Sequence, residues 1–283
     1  MGIGRGVAVR RQAIPGFGLT LGYSMFYLCL IVLIPLAALF ARPVNMGGAA
    51  FWAAIASPRT IAAFRISFGL ALLAAFINAF FGLIVAWVLV RVPIPGKRLI
   101  DAIVDLPFAL PTAVAGIALA TLYSPSGWIG RILGTVGIQV AYTPVGILVA
   151  MVFIGLPFVV RTVQPVLDDV ERDQEEAAAT LGAGPFSIFA RVTLPAIGPA
   201  LLSGFALAFA RGVGEYGSII FIAGNLPGQS EVLPLLIIVK LQQFDYAGAS
   251  AIAAVMLAIS FLVLITLNSL ERWQQRRRFG LGA

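Results

Sequence analysis

Six apolar runs divide this chain, at residues 19–40, 64–90, 102–123, 145–160, 199–223 and 247–270. An α-helix rises about 1.5 Å per residue, so about 20 apolar residues cross the ~30 Å hydrocarbon core of a bilayer. Each run is long enough to span or nearly so; the fourth is the shortest and is expected to extend at both ends. Lipid offers no partner to backbone N–H and C=O groups, so a spanning run satisfies them internally as a helix. The expected fold is therefore all-α, a polytopic membrane protein of six transmembrane helices. A further run at 233–239 is too short to span and reads as a short outer-face or re-entrant helix, with Lys240, Gln242 and Gln243 marking its polar end.

Composition supports lipid as the solvent. Of 283 residues, 60% are hydrophobic and 11% charged, with a mean hydropathy of +1.00, more apolar side chain than a soluble domain of this size can bury. Histidine is absent and Cys29 is the one cysteine, which excludes a disulfide framework and a Cys/His metal centre and argues against triad or metal-dependent catalysis. A net charge of +7 can signal nucleic acid, but basic loops are what membrane insertion itself requires. With the N-terminus inside, thirteen basic residues fall in cytoplasmic segments (Arg5, Arg10, Arg11, Arg91, Lys97, Arg98, Arg161, Arg172, Arg191, Arg272, Arg276, Arg277 and Arg278) and five outside (Arg42, Arg59, Arg65, Arg131 and Lys240). Both termini are thus expected in the cytoplasm. The first run, long and without a small-residue cleavage site, reads as an uncleaved anchor.

The longest polar segment, the loop at 161–195, holds six of the twelve acidic residues. Asp168 and Glu171 have capping-box spacing, with Asp in place of Ser or Thr, so a helix is expected to open there. Acidic residues suit the positive end of its dipole. Ala177, Ala178 and Ala179 form helix readily and leave a smooth surface for a close partner. Gly182 fits a left-handed cap and Pro185 the first turn of a second helix, which carries Phe186, Phe189 and Val192 and is expected to stop before Pro195. Two short helices meeting at a glycine elbow result. By itself this pattern also fits an ordinary amphipathic loop.

Polar residues inside the apolar runs call for an account. A charge at mid-bilayer costs about 2.5–3.5 kcal/mol, so Arg211 and Glu215 should face protein or a water-filled path, and their i, i+4 spacing lets them pair. Gly212, Gly214 and Gly217 allow close packing or a local break beside them. Pro107 and Pro111 should bend the third span and free carbonyls toward a cavity, or simply kink it for packing. Asn78 is expected to make an interhelix hydrogen bond, and Asp101 and Asp105 to be solvated or paired at the end of the third span. Tyr23, Trp52, Trp87, Trp128 and Trp273 read as interfacial anchors.

The loop reads Glu176-Ala177-Ala178, three residues, Gly182, nine residues, then Val192-Thr193-Leu194-Pro195. This resembles the type I ABC importer permeases, whose loop reads EAA, three residues, Gly, nine residues, Ile, one residue, Leu-Pro; here Val192 replaces the Ile. The resemblance implies that Glu176, Ala177, Ala178 and Gly182 belong to a coupling helix seated in a nucleotide-binding subunit, with Leu194 and Pro195 closing the motif. Residues 60–270 look like the transport domain, preceded by an extra helix and outer loop at 1–59 and followed by a basic tail at 271–283. The stretches Leu106-Pro107-Phe108-Ala109-Leu110-Pro111-Thr112 and Arg211-Gly212-Val213-Gly214-Glu215-Tyr216-Gly217-Ser218 are similar to the branch that imports oxyanions. Lys240-Leu241-Gln242-Gln243-Phe244-Asp245-Tyr246 is most like the T subunits of sulfate/thiosulfate permeases.

That resemblance implies a transport subunit of the inner membrane rather than an enzyme. It implies a homologous W-type permease partner, two copies of an ATP-binding subunit, and an extracytoplasmic sulfate- or thiosulfate-binding protein. The chain has no Gly-x-x-x-x-Gly-Lys-Ser/Thr loop, so ATP and magnesium are expected on the partner ATPase and no cofactor on this chain. Arg211, Gly214, Glu215, Pro107 and Pro111 are the candidate path residues, Arg211 either supplying positive potential to a passing dianion or serving only as Glu215's packing partner. A molybdate/tungstate permease, which a homodimer would suit better, is the nearest alternative. An ion-coupled secondary anion transporter would require two repeat halves and no ATPase, and no internal repeat is evident.

Overall fold

A computed structural model describes residues 17–170 and 172–278 and contains helices and no strand among them. Among the described residues, five helices are long and apolar enough to cross a membrane: α1 (Phe17–Val44), α3 (Pro58–Arg91), α8 (Pro144–Asp169), the continuous segment Pro185–Val213 that ends in α11 (Leu194–Val213), and α14 (Tyr246–Arg278), apolar over Tyr246–Glu271. The third apolar run forms no continuous helix. It divides into α4 (Lys97–Val104), α5 (Leu106–Ala109) and α6 (Thr112–Tyr123), interrupted at Asp105 and at Leu110-Pro111. Pro107 occupies the first turn of α5 and Pro111 precedes α6, positions where a missing N–H costs no helical bond.

Three further boundaries differ from the sequence expectation. The fourth span grows almost entirely at its loop end, running on to Asp169. Val163 and Leu167, one turn apart and fully buried in the core, hold that extension in place. Asp168 therefore lies in the last turn of α8 rather than opening a new helix, and Glu171 lies outside the described residues. The fifth span starts earlier than expected, at α10 (Pro185–Ile188), and ends at Val213. The loop's second helix does not stop before Pro195. It passes through a π-helical turn at Phe189–Thr193 into α11 (Leu194–Val213), where Pro195 sits in the first turn. The Leu194 N–H reaches back to the Phe189 carbonyl, so the wider turn takes up the register that Pro195 would otherwise break.

The remaining elements are short: α2 (Gly48–Ile55), α7 (Trp128–Thr135), α9 (Arg172–Thr180), α12 (Ile219–Ile222) and α13 (Leu233–Gln242). The last matches the expected non-spanning helix, and its Lys240 lies in the final turn.

α3, α8 and α11 pack together at the centre; α14 covers α11 and α13, and α1 lies against α14. Lipid supplies no hydrophobic drive between helices, so packing rests on close approach through small side chains. The central interface accordingly buries Ala71, Ala74, Ala75, Ala86, Ala150 and Ala208. At Gly204 a Cβ would come within 2.9 Å of the Val159 Cα.

Candidate functional site: the loop and the helix breaks

α9 ends as the glycine elbow requires. Gly182 has φ +85°; its N–H donates to the Ala179 carbonyl at 2.9 Å, and the Ala183 N–H to the Ala178 carbonyl at 3.1 Å. These paired bonds form a Schellman cap, which needs a left-handed residue at this position. Pro185 opens α10 behind Gly184, as the spacing predicts.

The elbow has an inner and an outer face. Inward, Glu175 Oε1 accepts hydrogen bonds from Arg91 Nη2 at 3.2 Å and Thr193 Oγ at 2.9 Å. Arg91, the last residue of α3, also donates from Nη2 to the Val170 carbonyl at 3.1 Å. One turn earlier, Trp87 packs edge-on against Phe189 at 5.5 Å between ring centroids. Trp87 is thus a joint between α3 and the loop rather than an interfacial anchor. Tyr23, Trp52 and Trp128 remain exposed as anchors would be, and the Trp273 side chain lies outside the described residues.

Outward, Glu176 and Ala177 are exposed and Ala178 is half-buried. Leu181 and Phe186 flank the elbow at 89% and 83% exposure, two large apolar side chains close together on an otherwise polar loop. Sequence reading misses Leu181 and Glu175. Glu175 does not differ in type from Glu176, and only the phase of α9 about its axis separates the face toward the bundle from the face away from it; Leu181 follows the end of α9 and is apolar like many residues of the chain.

The second group of candidates converges inside the bundle. α11 ends at Val213, yet Gly212 packs against Ala71 and Met151, well within α3 and α8. Residues 214–218 then cross without helical structure before α12 begins. Glu215 therefore lies beyond the helix end rather than in the middle of a span. It is 2% exposed; Oε2 pairs with Arg211 Nη1 at 2.5 Å, and Oε1 accepts from the Ser218 N–H and Oγ, both at 2.8 Å. The carboxylate thus satisfies backbone that the break leaves without helical partners. About a third of the Arg211 side chain (32%) stays exposed.

The proline break meets this one. Gly217 abuts the Thr112 hydroxyl, and a Cβ on Gly116 would come within 2.6 Å of the Ser218 Cα. Pro111, Gly214, Glu215 and Arg211 thus belong to one region where two interrupted helices touch, whereas Pro107 lies a turn away on α5. Non-helical backbone at such depth persists only where protein or a water-filled path covers it.

Three further groups of charges are paired. Arg161 Nη1 donates to Asp101 Oδ1 at 2.6 Å and its Nε to Asp105 Oδ1 at 2.7 Å, tying α4 and α5 to α8. On the face away from the loop, Arg59 makes a two-pronged bond to buried Glu231, 2.7 Å on each arm. Beside α13, Asp245 accepts from Lys240 Nζ at 2.8 Å and from the Gly248 N–H at 2.9 Å. The Lys240 bond first, and the Gly248 N–H second, hold its carboxyl below the ordinary carboxylate range. Asn78 is buried without a hydrogen-bond partner among the described residues. Its amide lies on Gly155 near Ala208, neither of which has a polar side chain.

Residues 78–280 match the family described as the binding-protein-dependent transport system inner membrane component. The chain is 49% identical over 270 residues to the sulfate transport system permease protein CysT of Escherichia coli (strain K12), covering 95% of this chain and 98% of that protein. It is 50% identical over 254 residues to the CysT protein of Synechococcus elongatus, covering 90% and 91% of the two chains. Among solved structures, a bacterial ABC transporter involved in import of the acidic polysaccharide alginate superposes with a TM-score of 0.75 at 17% identity, over 90% of this chain and 94% of that one. The MetNI methionine ABC transporter superposes with 0.54 at 20% identity, over 77% and 98%. These two likenesses establish a shared fold. The looped helix pair, the spans around it and the sequence relationship agree: the chain belongs to the family of inner membrane components of binding-protein-dependent transport systems, and within it to the CysT type.

Proposed function

We propose that this chain is the membrane-spanning subunit of an ATP-driven importer of sulfate and thiosulfate. The observation that carries the substrate is the 49% identity to the Escherichia coli sulfate permease over nearly the full chain. Residues 60–270 form the transport domain and both termini face the cytoplasm, as the distribution of basic residues favours. A W-type permease subunit completes the path, two ATP-binding subunits dock below, and an extracytoplasmic binding protein delivers the anion. The relative crystallised with its periplasmic protein bearing an alginate pentasaccharide supports that mode of delivery. ATP and its magnesium bind the ATPase; this chain transports and does not catalyse.

The mechanism is alternating access. Glu176, Ala177, Ala178 and Gly182, with Leu181 and Phe186 as apolar anchors, dock in the ATPase. Closure of the ATPase moves the helices beyond Leu194 and Pro195 as rigid bodies. The interrupted helices at Pro111 and Gly214–Ser218 lie along the path, with Pro107 at its margin and the exposed part of Arg211 turned to the anion. Glu215 keeps that cation in place, and because the binding protein selects the anion, this subunit needs no high-affinity site.

The test is uptake of radiolabelled sulfate in cells lacking only this chain, with thiosulfate and molybdate as competitors. Sulfate uptake should be lost and restored by the wild-type chain but not by Gly182→Asp. No atom crowds the new side chain, but the φ of +85° strains any residue other than glycine, so accumulation of the variant in the membrane is measured beside its uptake. Intact sulfate uptake with lost molybdate uptake would overturn the substrate, and normal uptake by Gly182→Asp would overturn the docking face.

A further inference from the structure

On the docking reading, force enters at the outer face of α9; how it leaves that helix for the bundle depends on the inner face. Successive residues on an α-helix lie about 100° apart at 3.6 per turn, so Glu175 and Glu176 cannot share a role. Glu176 is exposed, while Glu175 turns inward to Arg91 and Thr193. Its two partners belong to different members of the central trio: Arg91 ends α3, and Thr193, fully buried, is the last residue of the π turn from which α11 departs. Arg91 and Glu175 retain 10% and 21% exposure, so water screens their attraction far less than at an open surface.

We propose that Glu175 is a positioning residue that joins the ATPase-bound helix α9 to α3 and α11 at once, so that displacement of α9 reaches both spans through one carboxylate. This rests on the docking reading above. Without the joint, α9 is tied to the bundle mainly through the chain on either side, including the elbow at Gly182, which swivels more readily. With it, a shift of α9 moves the start of α11, and α11, a continuous helix, carries Arg211 near its other end. The Arg91 bond to the Val170 carbonyl and the Trp87–Phe189 contact brace the same junction. Thr193 adds direction, since a second donor on the same Oε1 fixes the carboxylate's rotamer.

The test uses the complete importer in proteoliposomes and reads sulfate taken up per ATP hydrolysed, together with co-purification of the ATPase subunits. Glu175→Gln keeps the side chain's shape and an acceptor for Thr193 but removes the ion pair. ATPase subunits should co-purify at the wild-type ratio while sulfate per ATP falls at least about fivefold, the lower range of measured site-to-site couplings. Arg91→Glu should fall similarly, and the exchange of both charges, Arg91→Glu with Glu175→Arg, should recover part of the ratio. A wild-type ratio in Glu175→Gln would overturn the joint, as would loss of ATPase co-purification, which would assign Glu175 to the docking face instead. If Glu175→Gln does not accumulate in the membrane, Thr193→Val and the charge exchange carry the test: a wild-type ratio in Thr193→Val, or no recovery in the exchange, counts against the proposal. Failure of the docking reading is distinct, because it shows as normal ATPase binding and normal coupling in Gly182→Asp.

Discussion

Arg211 and Glu215 show how a residue's role depends on where its helix stops. In the sequence they look like a charged pair within a span, with i, i+4 spacing and glycines between. In the structure the helix ends at Val213, and Glu215 caps the break by accepting the Ser218 N–H and Oγ while holding Arg211. The pairing was legible in the spacing. The helix end was not, because no Pro or charge run marks it and Gly212 and Gly214 fit packing equally well. Since Arg211→Gln alone would strand a buried carboxylate at a cost of about 3–5 kcal/mol, the informative variant removes both charges. Arg211→Gln with Glu215→Gln should assemble with its partners at normal levels yet import sulfate about tenfold more slowly, the sign expected when a path loses its cation. Normal uptake by that double variant would leave the pair a packing role only. Gly182, by contrast, was readable in advance, because a left-handed cap has its own chemistry and few residues but glycine supply it.

At the level of elements, apolar run length located every span, but run length is blind to interruptions. The third run is long enough to span, and its division at Asp105 and Leu110-Pro111 is foreshadowed only by its prolines and Asp105. The start of the fifth span was hidden for the opposite reason: Pro195 looks like a stop, and a π turn carries the helix through it. The junction of α13 and α14 offers a simpler check. Asp245 precedes α14 and bonds the Gly248 N–H, the place of an N-cap side chain, and Lys240 pairs with the same carboxylate. Asp245→Ala should lower stability by about 1 kcal/mol, the usual worth of such a cap, read as thermal unfolding of the detergent-purified importer at neutral pH. The folded carboxyl titrates below its ordinary range. Its contribution is therefore present above that range and fades as pH falls toward and through the lowered value. The difference between wild type and Asp245→Ala should accordingly shrink on acidification; a difference that grows would contradict the assignment.

At the scale of the whole molecule, the central trio is closely packed, yet the loop displays Leu181 and Phe186 almost fully exposed, and two broken helices meet where the proposed path would run. Sequence reached the family through one long motif of fixed register, and charge asymmetry carries the proposed orientation of the termini. It could not reveal which residues of the motif face the partner, since that depends on how α9 is rolled against α3 by Arg91 and Glu175. Everything proposed for this molecule requires the elbow to be a docking surface on the cytoplasmic side. The most direct measurement replaces Cys29 with Ser, introduces Leu181→Cys, and labels with a membrane-impermeant maleimide. In inside-out vesicles stripped of ATPase the new cysteine should label readily, and re-adding the ATPase subunits should protect it. Labelling from the outside of intact cells, or undiminished labelling with the ATPase bound, would contradict the account.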